Sequence, residues 1–179
     1  LYAAEFPEHV EELILVSPAD TLLMPQKDGD LFDAVRARLT QDQLADYDAL
    51  MNEDFDFNNI FSRSDADLVK LNNRFSEYYL PLVGDVDFTE RGEPGGWRVW
   101  GLYASMGRRH DYRAALKPVT APVLVIHGAE DLQSEAASRQ YADLFPYSQF
   151  VVIENAGHFS FEQQPEKFAE VVKGFLQAK

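Results

Sequence analysis

Val123-Leu124-Val125-Ile126-His127-Gly128-Ala129-Glu130-Asp131 and Phe150-Val151-Val152-Ile153-Glu154-Asn155-Ala156-Gly157-His158 decide how this chain is read. Each opens as an apolar, β-branched run, the composition of a buried strand. Each ends in a short loop with one side chain able to do chemistry, Asp131 in the first and His158 in the second. An open parallel sheet places its reacting groups there, beyond the carboxyl ends of its strands. An acid and then a histidine, each after its own strand, form the second half of a nucleophile–acid–histidine order. No Gly-x-Ser-x-Gly elbow precedes them in the 179 residues. The chain is therefore expected to bring acid and base to a nucleophile carried elsewhere.

Working outward, Leu13-Ile14-Leu15-Val16-Ser17 is a third such run, stopped by Pro18. A strand apolar at nearly every position is expected where helices cover both faces of a sheet. From about residue 20 to 117 the strand-like runs give way to helical patterns. Leu31, Ala34, Val35 and Leu39 mark one stripe, and Leu44, Tyr47, Ala49 and Leu50 a second. Thr40 ahead of Gln43 has the form of a capping box. Leu68, Leu71, Phe75 and Tyr78 predict a helix over 65–79. Pro94-Gly95-Gly96 closes a polar loop over 84–96, and a fourth helix is predicted over 97–109. Strands at 123–127 and 150–153 then alternate with helices at 135–144 and 165–177, the signature of a parallel sheet. The expected division is a sheet core at 1–19 and 118–179 with a helical insert at 20–117.

The formal net charge of −14 would repel phosphates and argues against nucleic acid as a partner. The absence of cysteine removes disulfides and thiolate metal sites, which fits a cytoplasmic location. No apolar run approaches membrane length and no leader opens the chain, so no membrane association is expected. No metal or cofactor is implied, and the expected ligand is a small-molecule substrate.

Three segments carry a family likeness. Phe6-Pro7-Glu8-His9-Val10 with Leu13-Ile14-Leu15-Val16-Ser17-Pro18 resembles the stretch after the nucleophile in α/β-hydrolases. The segment from Pro122 to Asp131 resembles their acid-bearing strand and loop. Ala156-Gly157-His158-Phe159, with Glu162, Pro165 and Phe168, resembles their histidine segment and last helix. The resemblance implies the C-terminal part of a doubly wound α/β-hydrolase sheet with a helical cap. It implies Asp131 as the acid that orients His158, and His158 as the general base. The reaction implied is hydrolysis of a small ester, amide or peptide. Nucleophile and oxyanion hole would come from an N-terminal half of the same hydrolase, so Leu1 would fall inside a helix just past the nucleophile. Gly157 is expected to permit the tight turn before His158.

Trp97, Trp100 and Tyr103 fall at helical spacing, which suits a pocket wall as well as packing within the cap; Phe159, next to His158, joins them as a candidate substrate contact. The capped layout and the Trp97-x-x-Trp100 pair resemble the proline iminopeptidase branch. There a glutamate usually follows the second tryptophan and holds the substrate amine, whereas this chain has Gly101. Glu77, Asp85, Asp87 and Glu90 are the other cap acids open to that task, and surface positions suit them equally.

Among rival groups, His127 is expected to pack structurally, His110 to lie solvated at a charged helix end, and His9 to sit on the surface. Ser105, in Tyr103-Ala104-Ser105-Met106-Gly107, imitates an elbow but falls in an aromatic helical pattern rather than after a strand. Two alternatives stay open: an epoxide hydrolase or dehalogenase with an aspartate nucleophile, and a catalytically silent fold that binds a small molecule.

Overall fold

The three apolar runs pair side by side, and the central one buries both of its faces. The computed structural model describes residues 2–25, 30–56, 59–84, 86 and 95–178. Among these the strands are β1 (Leu13–Val16), β2 (Leu23–Met24), β3 (His110–Asp111), β4 (Val123–Gly128) and β5 (Ser148–Ile153). The helices are α1 (Tyr2–Glu5), α2 (Leu31–Arg36), α3 (Gln41–Asp54), α4 (Asp65–Tyr79), α5 (Trp97–Met106), α6 (Arg113–Leu116), α7 (Glu135–Leu144), α8 (Ser160–Gln163) and α9 (Pro165–Gln177). None of the described helices is long and apolar enough to cross a membrane.

The chain divides into two units, Leu1–Leu31 with His110–Lys179, and Phe32–Arg109. In the first, β1, β4 and β5 form a parallel sheet in the order β1-β4-β5, with Leu13 opposite Val123 and Val125 opposite Phe150. The central strand β4 is buried at all six positions, and its side chains alternate between two cores as strand geometry requires. Val123 and Val125 pack with Ala3, Leu116, Ala142 and Phe145 on one face. Leu124 and Ile126 pack with Ile153, Ala156 and Phe175 on the other, where α9 adds Phe168, Val171 and Val172. The sheet thus holds the two loops after β4 and β5 at one edge, beside each other.

Residues 20–31 and 110–117 belong to this sheet unit rather than to the helical insert. Leu22 and Leu116 are part of its core, and the short antiparallel pair β2–β3 ties the two stretches together. That pair was not expected from the sequence, because two-residue strands carry no periodicity to read. It also relocates His110. Instead of lying solvated on a helix end, His110 is half-buried in β3, with Nε2 2.9 Å from the Thr21 carbonyl oxygen and its ring stacked on Tyr112. Helix α5 stops at Met106, short of the predicted end at 109, because Gly107 takes φ 71° and ψ 179°, outside the helical region and open to glycine.

The second unit is helical. Leu50, Ile60, Leu68, Leu71 and Trp100 form its core, and Phe32 meets both Phe55 and Phe75. The Thr40–Gln43 capping box is present, with Gln43 Oε1 accepting from the Thr40 N–H at 2.9 Å. Ser64 and Asp67 form a second one at the start of α4. Asp65 Oδ1 accepts the Trp97 N–H at 2.7 Å, joining the starts of α4 and α5. Gly96 is required there, since its φ is 63° and a Cβ would meet Asp65 Oδ1 at 2.5 Å.

Asp54, the last residue of α3, is a buried carboxyl whose Oδ1 lacks a hydrogen-bond partner. Burial drives its pKa up from 3.8 to about 6, against the partial relief given by Arg63 and Arg74. A carboxyl whose folded pKa lies above its unfolded one costs stability as pH rises from the unfolded value through the folded one. Asp54→Asn is therefore expected to raise stability at pH 8 by on the order of 2 kcal/mol, after discounting for solvent screening, and to be nearly neutral at pH 3.5. Urea unfolding of both forms at the two pH values checks it; an equal effect at both would mean that ionisation of Asp54 is not the cause.

Candidate active site

Where β4 ends, Gly128 lets two loops touch. A Cβ on Gly128 would meet the Ala156 carbonyl oxygen at 2.5 Å and the Gly157 carbonyl oxygen closer still. With that space free, the Ala129 N–H donates to the Ile153 carbonyl (3.0 Å) and the Glu130 N–H to the Ala156 carbonyl (2.9 Å). The loop then turns through Asp131 N–H to Gly128 C=O at 3.0 Å, which points the Asp131 carboxyl toward the neighbouring loop.

That neighbour turns at Asn155, the left-handed residue with φ of 54°. The sequence assigned the turn to Gly157. Asparagine serves instead because it tolerates the left-handed region better than most side chains. Gly157 contributes the close approach to Gly128. The loop is pinned from below: Gln163 Oε1 accepts the Gly157 N–H at 2.8 Å, and Gln164 Nε2 donates to the Asn155 carbonyl at 3.1 Å.

The result is a contact between His158 Nδ1 and Asp131 Oδ2 of 3.0 Å. The Asp131 side chain is 0% exposed and that of His158 26%. The acid is sealed and the histidine can be reached. Burial alone would raise the Asp131 pKa. The hydrogen bond and charge of His158, the Gln133 backbone N–H on Oδ1 (2.9 Å) and the nearby Ser17 hydroxyl together bring it below the ordinary carboxylate value. The Ser17 hydroxyl acts by proximity, since it falls short of full hydrogen-bond geometry. An ionised carboxylate facing Nδ1 can hold a proton there, the tautomer in which Nε2 carries the free lone pair.

The rival groups sit elsewhere. His127 is 2% exposed with Nδ1 3.0 Å from the Ser138 hydroxyl. Burial lowers its pKa, opposed in part by Asp131 and Glu135, so it stays neutral and structural. His9 is exposed and stacked on Phe6. Ser105 lies inside α5, its hydroxyl donating to the Leu102 carbonyl at 2.6 Å, and among the described residues no strand leads into that helix.

Of the aromatic candidates, Phe159 stands edge-on to the His158 ring at a centroid distance of 5.2 Å. Trp100 is buried in the core of the helical unit and Trp97 packs against that core, stacked on Phe61. Packing accounts for both. Tyr103 is 40% exposed. Glu77 is exposed on α4; Asp85, Asp87 and Glu90 lie outside the described residues. Two residues of the site were not anticipated. Gln133 had one legible signal, its position two residues after an aspartate, where a side chain–backbone turn can form. Ser17 had none.

Residues 1–165 match the family model described as alpha/beta hydrolase fold, and the chain belongs to that family. It is 24% identical over 189 residues to a proline iminopeptidase of Lactobacillus acidophilus, covering 99% of this chain and 61% of that protein. A proline iminopeptidase of Lactobacillus crispatus is 23% identical, with 98% and 60% covered. Among solved structures, the esterase EaEST of Exiguobacterium antarcticum superposes with a TM-score of 0.62 at 19% identity, over 98% of this chain and 62% of that one. A thermophilic esterase of Thermogutta terrifontis gives 0.58 at 19% identity, over 98% and 59%. The chain thus spans about three fifths of the length of the relatives it matches.

Proposed function

We infer that this chain supplies the acid and the base of an α/β-hydrolase that cleaves a small ester or amide through an acyl-enzyme. The observation that carries this reading is the sealed Asp131 carboxylate 3.0 Å from Nδ1 of a partly exposed His158. His158 takes the proton of the nucleophile as its oxygen attacks the substrate carbonyl, and the resulting imidazolium is stabilised by Asp131. The same proton passes to the departing alcohol or amine. His158 then activates water for the second half of the cycle. The names of the relatives, esterases and proline iminopeptidases, support acyl transfer to water as the reaction class.

The nucleophile is assigned to a segment outside these 179 residues, in keeping with the share of the relatives' length that the chain spans. A serine is the leading candidate for it. The helical unit Phe32–Arg109 is read as the lid that selects the substrate. Gly101 stands where the iminopeptidase branch carries an amine-holding glutamate, which favours an ester over a free-amine peptide as substrate.

A fluorophosphonate serine-hydrolase probe applied to the intact protein tests the reading. The expected result is one covalent label on a serine outside residues 1–179, lost in a His158→Ala variant. A label on Ser105 would overturn the assignment of the nucleophile. Absence of any label would point to an aspartate nucleophile or a binding function.

A further inference from the structure

We propose that Gln133 is a positioning residue whose side-chain amide, anchored on the backbone of Ser17, flanks the Asp131–His158 contact and holds the histidine ring in place. The proposal rests on the acid–base reading above. Gln133 is half-buried and touches three parts of the site at once. Its backbone N–H donates to Asp131 Oδ1 at 2.9 Å. Its side-chain Nε2 lies 3.4 Å from the Ser17 carbonyl oxygen and 3.4 Å from His158 Nδ1.

The chemistry of these groups fixes their roles. Oδ1 is occupied by the Gln133 N–H, so only Oδ2 faces the histidine. An ionised carboxylate at 3.0 Å is the stronger acceptor, so Nδ1 keeps its proton and donates it to Oδ2. The Ser17 carbonyl then decides which way the amide points, since it accepts only from the nitrogen end. Gln133 Nε2 therefore gives one of its two hydrogens to Ser17 and lies against the Nδ1 edge of the ring as a wall. A single hydrogen bond leaves an imidazole free to swing about it. Gln133 on the Nδ1 edge, together with the Phe159 ring set edge-on to the imidazole, narrows that freedom and keeps water from the Nδ1–Oδ2 bond.

Ser17 is built for the purpose at a cost. It is 5% exposed and holds a φ of 42°, a conformation that a side-chain-bearing residue adopts only where its surroundings require it. Its N–H is tied to the Ile126 carbonyl at 2.8 Å, across to β4. The left-handed turn at the end of β1 leaves its carbonyl at Gln133 and its hydroxyl beside Asp131.

The test is made in the intact protein with Gln133→Met, close in shape and lacking the amide, and Gln133→Ala as the second variant. The readouts are the ring 15N shifts of His158, the solvent exchange of its Nδ1 proton, and kcat and KM separately. The expected result is an Nδ1–H tautomer in the parent. Both variants should show proton exchange faster by about tenfold and kcat lower by about tenfold at unchanged KM. If the parent shows Nδ1–H and both variants keep exchange and kcat within twofold, the proposal fails while the acid–base pair stands. A lower melting temperature with unchanged exchange would likewise overturn it, leaving Gln133 a packing role. If the parent itself carries its proton on Nε2, the acid–base reading has failed, and the proposal with it.

Discussion

Asp131→Asn in the intact protein is expected to lower kcat about 10⁴-fold while leaving the fold in place. The substitution keeps the shape of the side chain and an oxygen to accept the Gln133 N–H now bound at 2.9 Å. What it removes is the negative charge facing His158 Nδ1 at 3.0 Å. An amide can present its NH₂ group to Nδ1, which stabilises the tautomer with the proton on Nε2 and leaves the base without a free lone pair where the nucleophile needs it. His158→Ala should cost more than Asp131→Asn, and the double variant should be no worse than His158→Ala alone, because the two act as a unit. Steady-state kinetics on an activated ester, with circular dichroism to confirm folding, check all three. A loss below tenfold for Asp131→Asn would show that this carboxylate does not orient the base.

Gly128→Ala is expected to damage both stability and activity, although Gly128 touches no substrate in the proposed reaction. A methyl group there runs into two backbone carbonyls, those of Ala156 and Gly157. Backbone cannot rotate aside as a side chain can, so the loops after β4 and β5 must part. Parting them strains or breaks the Ala129–Ile153 and Glu130–Ala156 hydrogen bonds and pulls Asp131 from His158. A destabilisation of about 3 kcal/mol or more is expected, as for other overpacked backbone contacts. At a temperature where the variant is still folded, kcat should be at least about 100-fold lower, since a displacement near 1 Å at the reacting groups has that effect. Chemical denaturation and kinetics read the two effects separately. A variant of parental stability would show that the loops can separate freely and that this contact does not set the site.

Much of this was legible beforehand. The runs at Leu13, Val123 and Phe150 announce strands because their apolar residues are continuous and β-branched, and the one at Val123 is covered on both faces. Helices α4, α7 and α9 keep the bounds expected of them because their stripes are long and end at clear caps or prolines. The pair β2–β3 has no sequence signal, because two residues carry no period, and the place of His110 in it has none either. Trp100 offered a spacing that suits a pocket wall and a core alike, and only packing distinguishes them.

That Asp131 and His158 carry groups able to do chemistry was readable from local sequence, since each follows its own strand in a loop. Their meeting was not. Asp131 and His158 are 27 residues apart, and their contact depends on Gly128 having no Cβ and on Asn155 taking a left-handed turn. Ser17, whose hydroxyl helps to lower the Asp131 pKa, comes to it from more than a hundred residues away. Sequence alone therefore determined the strands, the order of the chemical groups and their types, all of which follow from local composition and period. The tertiary structure alone decided the distance between Asp131 and His158, the sealing of the carboxylate and the shell around it. Those are set by contacts between segments distant in the chain, and no local pattern encodes them.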